Sequence, residues 1–364
     1  MIFLLDLPQP THGMSSVNKN ILDLACQRGA LPNVINTVPS YASVFFGGYI
    51  WVFVKFVHFF FCFFKLLFFL VFFDRSVVYR PINGGGGQIF DIAFILLVRI
   101  FRVQIVIHHH SFNYLNRRSL LFSILQKLSG PNSLHVVLGK VMAEKLSDLY
   151  DINDSQMHIL SNVAFFTEKS TDVSKNCIPV IGHLSNLCVD KGIIEFVDLC
   201  KALITSGFDF QAVIAGPFSD KSVQLVVENA IKEMSQVKYL GPLYGTEKDK
   251  FFSSLDVFVF PSRYKNEAEP LVLYEAAEYG ALTLGTQRGC MATVIKALGG
   301  ESFIEGENVA SVMSDVIQES HKDGQFNFVN KIKRIEKFEA SKYEARDSLE
   351  RLLGLLKVTN VSET

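Results

Sequence analysis

Residues 255–286, LDVFVFPSRYKNEAEPLVLYEAAEYGALTLGT, carry the clearest folding signal of the chain. Residues 255–260 form a short apolar run rich in Val and Phe, which is typical of a strand buried inside a parallel sheet. Pro270 suits the first position of a helix, because its missing N–H would be unsatisfied there in any case. Gly280 suits the end of that helix as a C-cap. The stretch therefore predicts a strand, a loop and a helix of an α/β fold.

This order places the loop at the carboxyl edge of a sheet, where α/β proteins bind their ligands. The helix that follows aims free backbone N–H groups and a positive dipole end at that edge, which favours an anionic ligand. Two carboxylates, Glu267 and Glu275, flank the loop and the start of the helix, and carboxylates accept hydrogen bonds from sugar and ribose hydroxyls. Together these features predict a site for a nucleotide sugar.

The segment Glu267-Ala-Glu-Pro-Leu-Val-Leu-Tyr-Glu275, preceded by Phe260-Pro-Ser, resembles the E-x7-E signature of the GT4 family of retaining glycosyltransferases. Two glutamates at this spacing also occur on solvated helix faces, so the surrounding strand, proline and glycine carry the resemblance. It implies the GT-B fold, in which two Rossmann-like α/β domains face a cleft and a C-terminal helix crosses back to the first domain. Further strands are predicted at residues 2–7, 76–80, 103–107, 135–138, from 158, from 180, 210–215, 237–241 and 281–285.

The resemblance implies that Glu267 binds hydroxyls of the donor sugar and Glu275 binds the ribose. Pro270 has no N–H, so Ala268, Glu269 and Leu271 are expected to supply the backbone donors near the diphosphate.

Residues 180–187 and Lys191-Gly192 resemble the G-R-L-S and K-G segments of the family, whose Arg and Lys hold the diphosphate. Lys191 matches the Lys, whereas His183 stands where the Arg is expected. Since a histidine is only partly charged near neutrality, Arg263 or Arg288 is a candidate for the missing cation. A surface position for Lys191 is the alternative.

In the first half of the chain, the turn at residues 8–13 resembles the first loop of the family, where Gly13 would allow a ligand to approach the backbone. An ordinary tight turn that needs Gly13 is the alternative.

His108-His-His-Ser111 follows a predicted strand, and adjacent histidines on an extended segment point to alternating faces. The family has H-x-H-G here, which implies that His108 or His110 contacts the donor sugar; satisfied core histidines are the alternative. His110 is taken as the catalytic candidate beside Glu267 and Lys191.

Composition fits two domains that each have a core, since the chain has 364 residues of which 49% are hydrophobic. The charge is uneven: residues 1–163 carry 13 Lys/Arg and 8 Asp/Glu, and the remainder carries 22 and 28. A basic first half suits an anionic acceptor or membrane surface. The predicted domains are 1–163 for the acceptor, a linker at 164–178, 179–335 for the nucleotide sugar, and a C-terminal helix and tail at 336–364.

The six cysteines are scattered without metal-site spacing, which is typical of reduced thiols in a cytoplasmic protein. No Asp-x-Asp metal site is present, so we expect metal-independent catalysis with no cofactor besides the nucleotide-sugar co-substrate. No nucleic-acid partner is expected.

Residues 56–73 are apolar except for His58 and Lys65, and a helix at about 50–73 could meet a membrane. Lys55, His58, Cys62 and Lys65 lie on one helical face. We expect the helix to lie in a membrane interface with its lysines toward headgroups, a buried core helix and a true span being the alternatives.

The sequence thus predicts a retaining GT-B glycosyltransferase that moves a sugar to a lipid-linked saccharide of a cell-surface polysaccharide such as an O antigen or capsule, on the inner face of the cytoplasmic membrane. A sugar-nucleotide epimerase with the same fold and a non-catalytic membrane-associated binding protein are the alternatives.

Overall fold

The computed structural model describes two compact units. Unit 1 consists of Met1–Phe166 together with the residues from Glu344 onward, and unit 2 is Thr167–Tyr343. The described residues are 1–8, 13–45, 48–73, 77–169, 173, 175–306 and 308–358.

Unit 1 is built on a parallel sheet with the strand order β2-β1-β3-β4-β5-β6. Its strands are β1 (Ile2–Leu5), β2 (Asn33–Asn36), β3 (Val77–Pro81), β4 (Gln104–His108), β5 (Leu134–Val137) and β6 (Met157–Ile159). Its helices are α1 (Gly13–Gln27), α2 (Tyr49–Phe72), α3 (Gln88–Ile100), α4 (Leu120–Ser129) and α5 (Lys140–Tyr150), with 3₁₀ turns at Ser40–Phe45, Gly85–Gly87, Asp154–Gln156 and Asn162–Phe165.

Unit 2 has a second parallel sheet with the order β12-β11-β10-β7-β8-β9. Its strands are β7 (Val180–Leu184), β8 (Gln211–Ala215), β9 (Val237–Tyr239), β10 (Val257–Phe260), β11 (Leu282–Thr286) and β12 (Glu301–Phe303). Its helices are α6 (Ile193–Thr205), α7 (Lys221–Glu233), α8 (Gly245–Ser253), α9 (Leu271–Glu278), α10 (Met291–Ala297), α11 (Val309–Lys322) and the first part of α12 (Phe328–Leu355), with a 3₁₀ turn at Val189–Lys191.

The central strands are buried on both faces, as their uninterrupted apolar sequences require. All four residues of β1 and all four of β10 are buried. Helices on both sides of a parallel sheet cover both of its faces, so such strands carry no polar face. The two parallel six-stranded sheets confirm the predicted α/β fold class.

The predicted strands are present, with ends shifted by one or two residues. The strands β2 and β12 were not predicted. Each lies at one edge of its sheet and carries a polar residue at one or both ends, so neither forms the apolar run that marks a central strand.

Two details of the stretch at 255–286 differ from the prediction. Pro270 is the N-cap of α9 with extended backbone, so the helix begins at Leu271 and not at the proline. Gly280 lies one residue beyond the C-cap Tyr279 and has a φ of +75°. A Cβ atom on Gly280 would lie 2.6 Å from the carbonyl oxygen of Lys331, so this position needs glycine for its backbone and for its close contact with α12.

Helix α12 belongs to both units. In unit 2, Lys331 donates to the carboxylate of Asp256 at 2.8 Å and Arg334 donates to the carbonyl of Gly280 at 2.8 Å. From Glu344 onward the helix belongs to unit 1, where the Ser348 hydroxyl lies 3.0 Å from the Nε2 atom of His158.

Helix α2 corrects the expectation that its lysines point toward lipid headgroups. The Lys65 ammonium donates to the carbonyl of Val34 at 3.2 Å, and His58 Nε2 lies 2.9 Å from the carbonyl oxygen of Asn36. The polar stripe therefore covers the edge strand β2, while the phenylalanines face outward. Among the described residues this is the one helix long and apolar enough to cross a membrane, and only 17% of its most apolar part is buried, so it is not a core helix.

Candidate functional site

The candidate site of unit 2 lies where the strand order of its sheet reverses. Strand β7 pairs with β8 on one side and with β10 on the other, so the connections from β7 and from β10 leave in opposite directions. In open α/β sheets this switch point forms a crevice at the carboxyl ends of the strands. The loops after β7 and β10 carry Lys191 and Glu267, and the structure brings these two residues together.

Lys191 is presented by a tight turn that only glycine can complete. It ends the 3₁₀ turn Val189–Lys191, and Gly192 follows with a φ of +84°. A Cβ atom on Gly192 would lie 2.2 Å from the carbonyl oxygen of Pro261, so the turn packs directly on the loop after β10. The backbone N–H of Arg263 also donates to the carbonyl of Asp190 at 2.7 Å. The two loops are therefore held as one rigid edge.

Lys191 and Glu267 form an ion pair at this edge. The Lys191 ammonium lies 2.5 Å from Glu267 Oε2, and the Ser262 hydroxyl donates to the same oxygen at 3.2 Å. The ammonium also lies 5.0 Å from the ring centre of Tyr264. The Lys191 side chain is 24% exposed and that of Glu267 is 10% exposed, so a cation and a carboxylate are fixed side by side within reach of solvent.

The Glu267 loop is fixed from behind by the loop after β11. A Cβ atom on Gly289 would lie 2.2 Å from the carbonyl oxygen of Glu267, and the N–H of Cys290 donates to the carbonyl of Ala268 at 2.8 Å. The side chain of Glu269 is buried and accepts a hydrogen bond from the Tyr274 hydroxyl at 2.6 Å. Because the Glu269 side chain is used inside the protein, Ala268 and Glu269 offer a ligand only their backbone groups.

Glu275 lies inside α9 and pairs with a residue that the sequence did not single out. Lys248 of α8 donates to Glu275 Oε1 at 2.6 Å. The second oxygen, Oε2, is buried and has no hydrogen-bond partner among the residues that the structure describes. A buried carboxylate oxygen favours a donor, so this atom could accept a ligand hydroxyl.

Both arginines proposed as the missing cation are paired with carboxylates. Arg263 donates to Glu195 at 3.0 Å with its own side chain 56% exposed, and Arg288 forms a two-point contact with Glu305. A diphosphate would have to compete with these partners for either guanidinium.

The structure corrects the role expected for His183. Its ring is fully buried, with Nδ1 2.9 Å from the carbonyl oxygen of Val259 and Nε2 3.1 Å from the Ser185 hydroxyl. Burial lowers the pKa of His183 to about 4, and the nearby Lys191 acts in the same direction. A neutral histidine with both nitrogens occupied neither contacts a diphosphate nor replaces the charge of an arginine.

The three adjacent histidines of unit 1 point to alternating faces, as predicted. The rings of His108 and His110 lie 4.0 Å apart, while His109 points to the other side, where it contacts Tyr114 and His135. His108 is fully buried and its Nδ1 lies 2.5 Å from the Tyr79 hydroxyl, so its ring does not face solvent. Burial lowers the pKa of His108 well below its ordinary value. Of the two predicted sugar contacts, His110 alone is partly exposed.

Gly13 begins α1 on the surface of unit 1, and a Cβ atom there would meet nothing within 4 Å. The tight turn predicted at Gly13 falls partly on residues 9–12, which lie outside the described residues.

A charge cluster at the switch point of unit 1 escaped the sequence analysis. Arg80, which is 1% exposed, contacts Asp6 at 3.0 Å and Asp91 at 2.6 Å. Asp6 follows β1, and Asn83 after β3 donates its backbone N–H to Asp91 at 2.8 Å. The sequence does contain a signal for this cluster: Asp6 directly follows the buried strand β1, and Arg80 lies within the buried strand β3.

Comparisons with known proteins find a related sequence family and related folds. Residues 165–335 match the family of glycosyl transferases group 1. The match covers unit 2 up to residue 335 and includes both loops that carry the Lys191–Glu267 pair. No curated protein sequence matches the chain.

Solved structures of glycosyltransferases share the fold along most of the chain. A glycosyltransferase from Rickettsia africae superposes with a TM-score of 0.71 at 12% identity, covering 98% of each chain. HepE of Anabaena in complex with UDP gives 0.67 at 14% identity, covering 97% of this chain and 99% of HepE. TarM of S. aureus gives 0.61 at 14% identity, and this chain spans 57% of TarM. The predicted GT-B fold is thereby confirmed.

Among the described residues no group of three or more His, Cys, Asp or Glu side chains is arranged to hold a metal ion.

Proposed function

We propose that this protein is a retaining glycosyltransferase that moves a sugar from a nucleotide-diphosphate sugar to a hydroxyl of a lipid-linked saccharide. The observation that carries the proposal is the Lys191–Glu267 pair at the switch point of unit 2, inside the region that matches group 1 glycosyl transferases. The structural neighbour HepE has been crystallised in complex with UDP-glucose, which supports the same class of donor for this chain.

The ion pair suggests how the donor would be held. Lys191 can exchange its internal partner Glu267 for the diphosphate, and the carboxylate of Glu267 is then free to accept a hydroxyl of the sugar. Ser262 keeps the carboxylate in place during this exchange. The Lys191–Glu267 pair would thus bind both the diphosphate and the sugar of the donor.

The first turn of α9 supports the same assignment. Because Pro270 is the N-cap and lacks an N–H, the open backbone donors begin at Leu271. These donors and the positive end of the helix favour the charge that develops on the departing diphosphate. Glu275, four residues further on, has a buried oxygen available for a ribose hydroxyl.

The chemical step needs a proton acceptor for the attacking hydroxyl. In the proposed mechanism a phosphate oxygen of the donor takes this proton while the bond between the sugar and the phosphate breaks. The sugar then forms its new bond on the same face, with retention. Lys191 and the α9 terminus stabilise the negative charge, so the reaction is proposed to be independent of metal ions.

The membrane is the proposed location, on the inner face of the cytoplasmic membrane. The basic first half of the chain and the outward-facing phenylalanines of α2 support an acceptor presented by lipid, as in cell-surface polysaccharide synthesis.

The test is a panel of UDP-, GDP- and ADP-sugars incubated with the protein and a membrane lipid extract, with release of nucleoside diphosphate as the readout. We expect release that requires the lipid, is lost in Glu267→Gln and is retained in the matched surface variant Glu319→Gln. The anomeric configuration of the product, measured by NMR, tests retention. Conversion of a donor to an isomer without lipid would instead identify an epimerase, and failure to bind any sugar nucleotide would overturn the proposal.

A further inference from the structure

Three helices of unit 1, α2, α3 and α4, expose large apolar side chains, and we call these exposed residues together the Phe face. Helix α3 packs against both α2 and α4. On α2 the face includes Phe53, Phe61, Phe64 and Phe72, each more than 60% exposed. It continues through Ile100 of α3, which is 66% exposed, and Leu120 of α4, which is 83% exposed. Soluble proteins rarely expose so many large apolar groups together, so the surface is built for a partner.

The opposite side of α2 is fastened to the sheet. Lys65 donates to the carbonyl of Val34, and the Cys62 thiol donates to the carbonyl of Asn36 at 3.4 Å. These contacts place the polar stripe of α2 along the edge strand β2. Because the Lys65 ammonium is turned toward the protein, a membrane-crossing α2 would have to break these contacts and carry this charge into the lipid core. The helix is therefore arranged to lie along a surface.

The charge around the Phe face is predominantly positive. Residues 49–129 contain nine Lys or Arg and two Asp, and one of those two, Asp91, is buried against Arg80. Arg99 and Arg102 flank the exposed Ile100, and Arg117 and Arg118 precede the exposed Leu120. None of these four arginines forms an ion pair with another residue in the described part of the chain. Apolar groups are thus interleaved with free cations.

We propose that the Phe face docks on an anionic lipid bilayer, with α2 parallel to the membrane plane and the arginines at headgroup depth. Phenylalanines can enter the boundary between headgroups and acyl chains, while the arginines bind lipid phosphates and so increase affinity. A second copy of the chain fits this surface less well, because a two-fold interface would bring like-charged arginines together. The proposal deepens the proposed function by naming the surface on which its lipid-linked acceptor would be met, although vesicle binding itself does not depend on catalysis.

The first experiment is co-sedimentation of the full chain with vesicles of phosphatidylcholine alone or with about one third phosphatidylglycerol. We expect binding to the anionic vesicles that weakens as salt is raised. Two variants should each weaken binding to the anionic vesicles by about 10-fold or more. They are the triple variant Phe53→Ser/Phe61→Ser/Phe64→Ser and the double variant Arg117→Glu/Arg118→Glu. The matched controls Leu225→Ser/Leu240→Ser and Lys221→Glu/Lys232→Glu, which change exposed residues of unit 2, should bind as the parent does.

The depth of α2 in the bilayer, measured at two positions, distinguishes a helix that lies on the bilayer from one that crosses it. Trp51 is the sole tryptophan of the chain. In a Trp51→Phe background, Phe53→Trp and Phe64→Trp place single probes about 16 Å apart along the helix. Brominated lipids should quench both probes most strongly at the same shallow bromine depth. Different depths for the two probes would overturn the parallel arrangement.

Folding is checked by the thermal unfolding midpoint, which the exposed substitutions should leave within a few degrees of the parent. Equal vesicle binding by all variants would overturn the proposal. So would an absence of vesicle binding combined with a dimer that the triple Phe variant dissociates in sedimentation velocity. Binding of the sugar-nucleotide panel can be measured without lipid, so failure to bind any sugar nucleotide would contradict the proposed transferase and not the docking surface.

Discussion

The ammonium of Lys191 lies 2.5 Å from a carboxylate oxygen of Glu267, and this contact joins the loop after β7 to the loop after β10. The pair is partly exposed, so we expect it to stabilise the fold by no more than about 1 kcal/mol. Its importance for the proposed transfer is expected to be much larger, because it places charge where the diphosphate departs.

Replacing Lys191 by alanine should therefore separate activity from stability. We expect Lys191→Ala to lower kcat/KM for glycosyl transfer by about 100-fold or more, as loss of a charge-stabilising donor does in other active sites. The unfolding midpoint should hardly change. The matched control is Lys201→Ala, which removes an exposed lysine paired with Asp198 on α6. Equal activity of the two variants would contradict the role of Lys191.

The buried oxygen of Glu275 leads to a prediction about the ribose. We expect Glu275→Gln to weaken binding of the donor's nucleoside diphosphate by about 10-fold, equivalent to about 1.4 kcal/mol. If the carboxylate binds ribose hydroxyls, the parent should discriminate against the 2′,3′-dideoxy form of that nucleotide and the variant should not. Calorimetric titration of both nucleotides against both proteins measures this coupling. Discrimination that survives in Glu275→Gln would place the ribose elsewhere.

Lys248 is predicted to act as a positioning residue for Glu275. Its ammonium holds Oε1 at 2.6 Å, which leaves Oε2 to the ligand. We expect Lys248→Met to weaken binding of the donor's nucleoside diphosphate and to reduce the discrimination between ribose and dideoxyribose, with a smaller effect than Glu275→Gln. Binding stronger than that of the parent would show that Lys248 instead competes with the ligand for Glu275.

Gly192 should tolerate no side chain. Its φ of +84° alone costs an L-residue about 1–2 kcal/mol, and a Cβ atom would also lie 2.2 Å from the Pro261 carbonyl oxygen. Gly207 has a φ of +73° but open space around its Cβ position. Urea unfolding should show that Gly192→Ala destabilises the protein more than Gly207→Ala, and the difference measures the clash. Equal losses would mean that the loops move apart at little cost.

Arg80 should be needed for the stability of the fold only while Asp6 and Asp91 are present. Arg80→Met leaves the buried carboxylates of Asp6 and Asp91 unpaired, which is expected to cost about 3–5 kcal/mol of unfolding free energy. Adding Asp6→Asn and Asp91→Asn to that variant should recover part of the loss, because no unpaired charge is then buried. Further destabilisation by the two added changes would contradict this account.

The raised pKa of Glu278 predicts that the free energy of unfolding depends on pH. Burial raises the pKa of Glu278 from its ordinary 4.5 to about 7, although Lys169 at 3.7 Å opposes the shift. The folded chain then keeps a proton that the unfolded chain releases, so the free energy of unfolding falls as pH rises from about 4.5 to about 7. Glu278→Gln should be more stable than the parent at pH 8, by up to about 3 kcal/mol, and about equal at pH 5. A stability gain of equal size at both pH values would show that charge is not the cause.

Much of the candidate site could be predicted from short segments. The strand at 257–260, the loop with Glu267 and the helix with Glu275 are neighbours in sequence, so spacing and apolar pattern place them together. Lys191 was predicted because Lys191-Gly192 resembles the K-G segment of the GT4 family. Lys248, in contrast, contacts Glu275 only because α8 packs against α9, and no local sequence pattern predicts such a contact.

Parallel α/β sheets could be predicted from the sequence, because buried central strands need uninterrupted apolar runs and the connections between them need helices. The polar stripe and the apolar face of α2 could be predicted as well. Which of these faces is outward depends on the fold, since the carbonyl groups of β2 accept hydrogen bonds from Lys65 and Cys62, while Phe53, Phe61, Phe64 and Phe72 remain exposed. The fold likewise decided that His183 is a buried, neutral residue, because the occupancy of its two nitrogens depends on Val259 and Ser185 and not on its place in a motif. Periodicity along one chain specifies which groups share a face, but the direction of that face is set by partners distant in sequence.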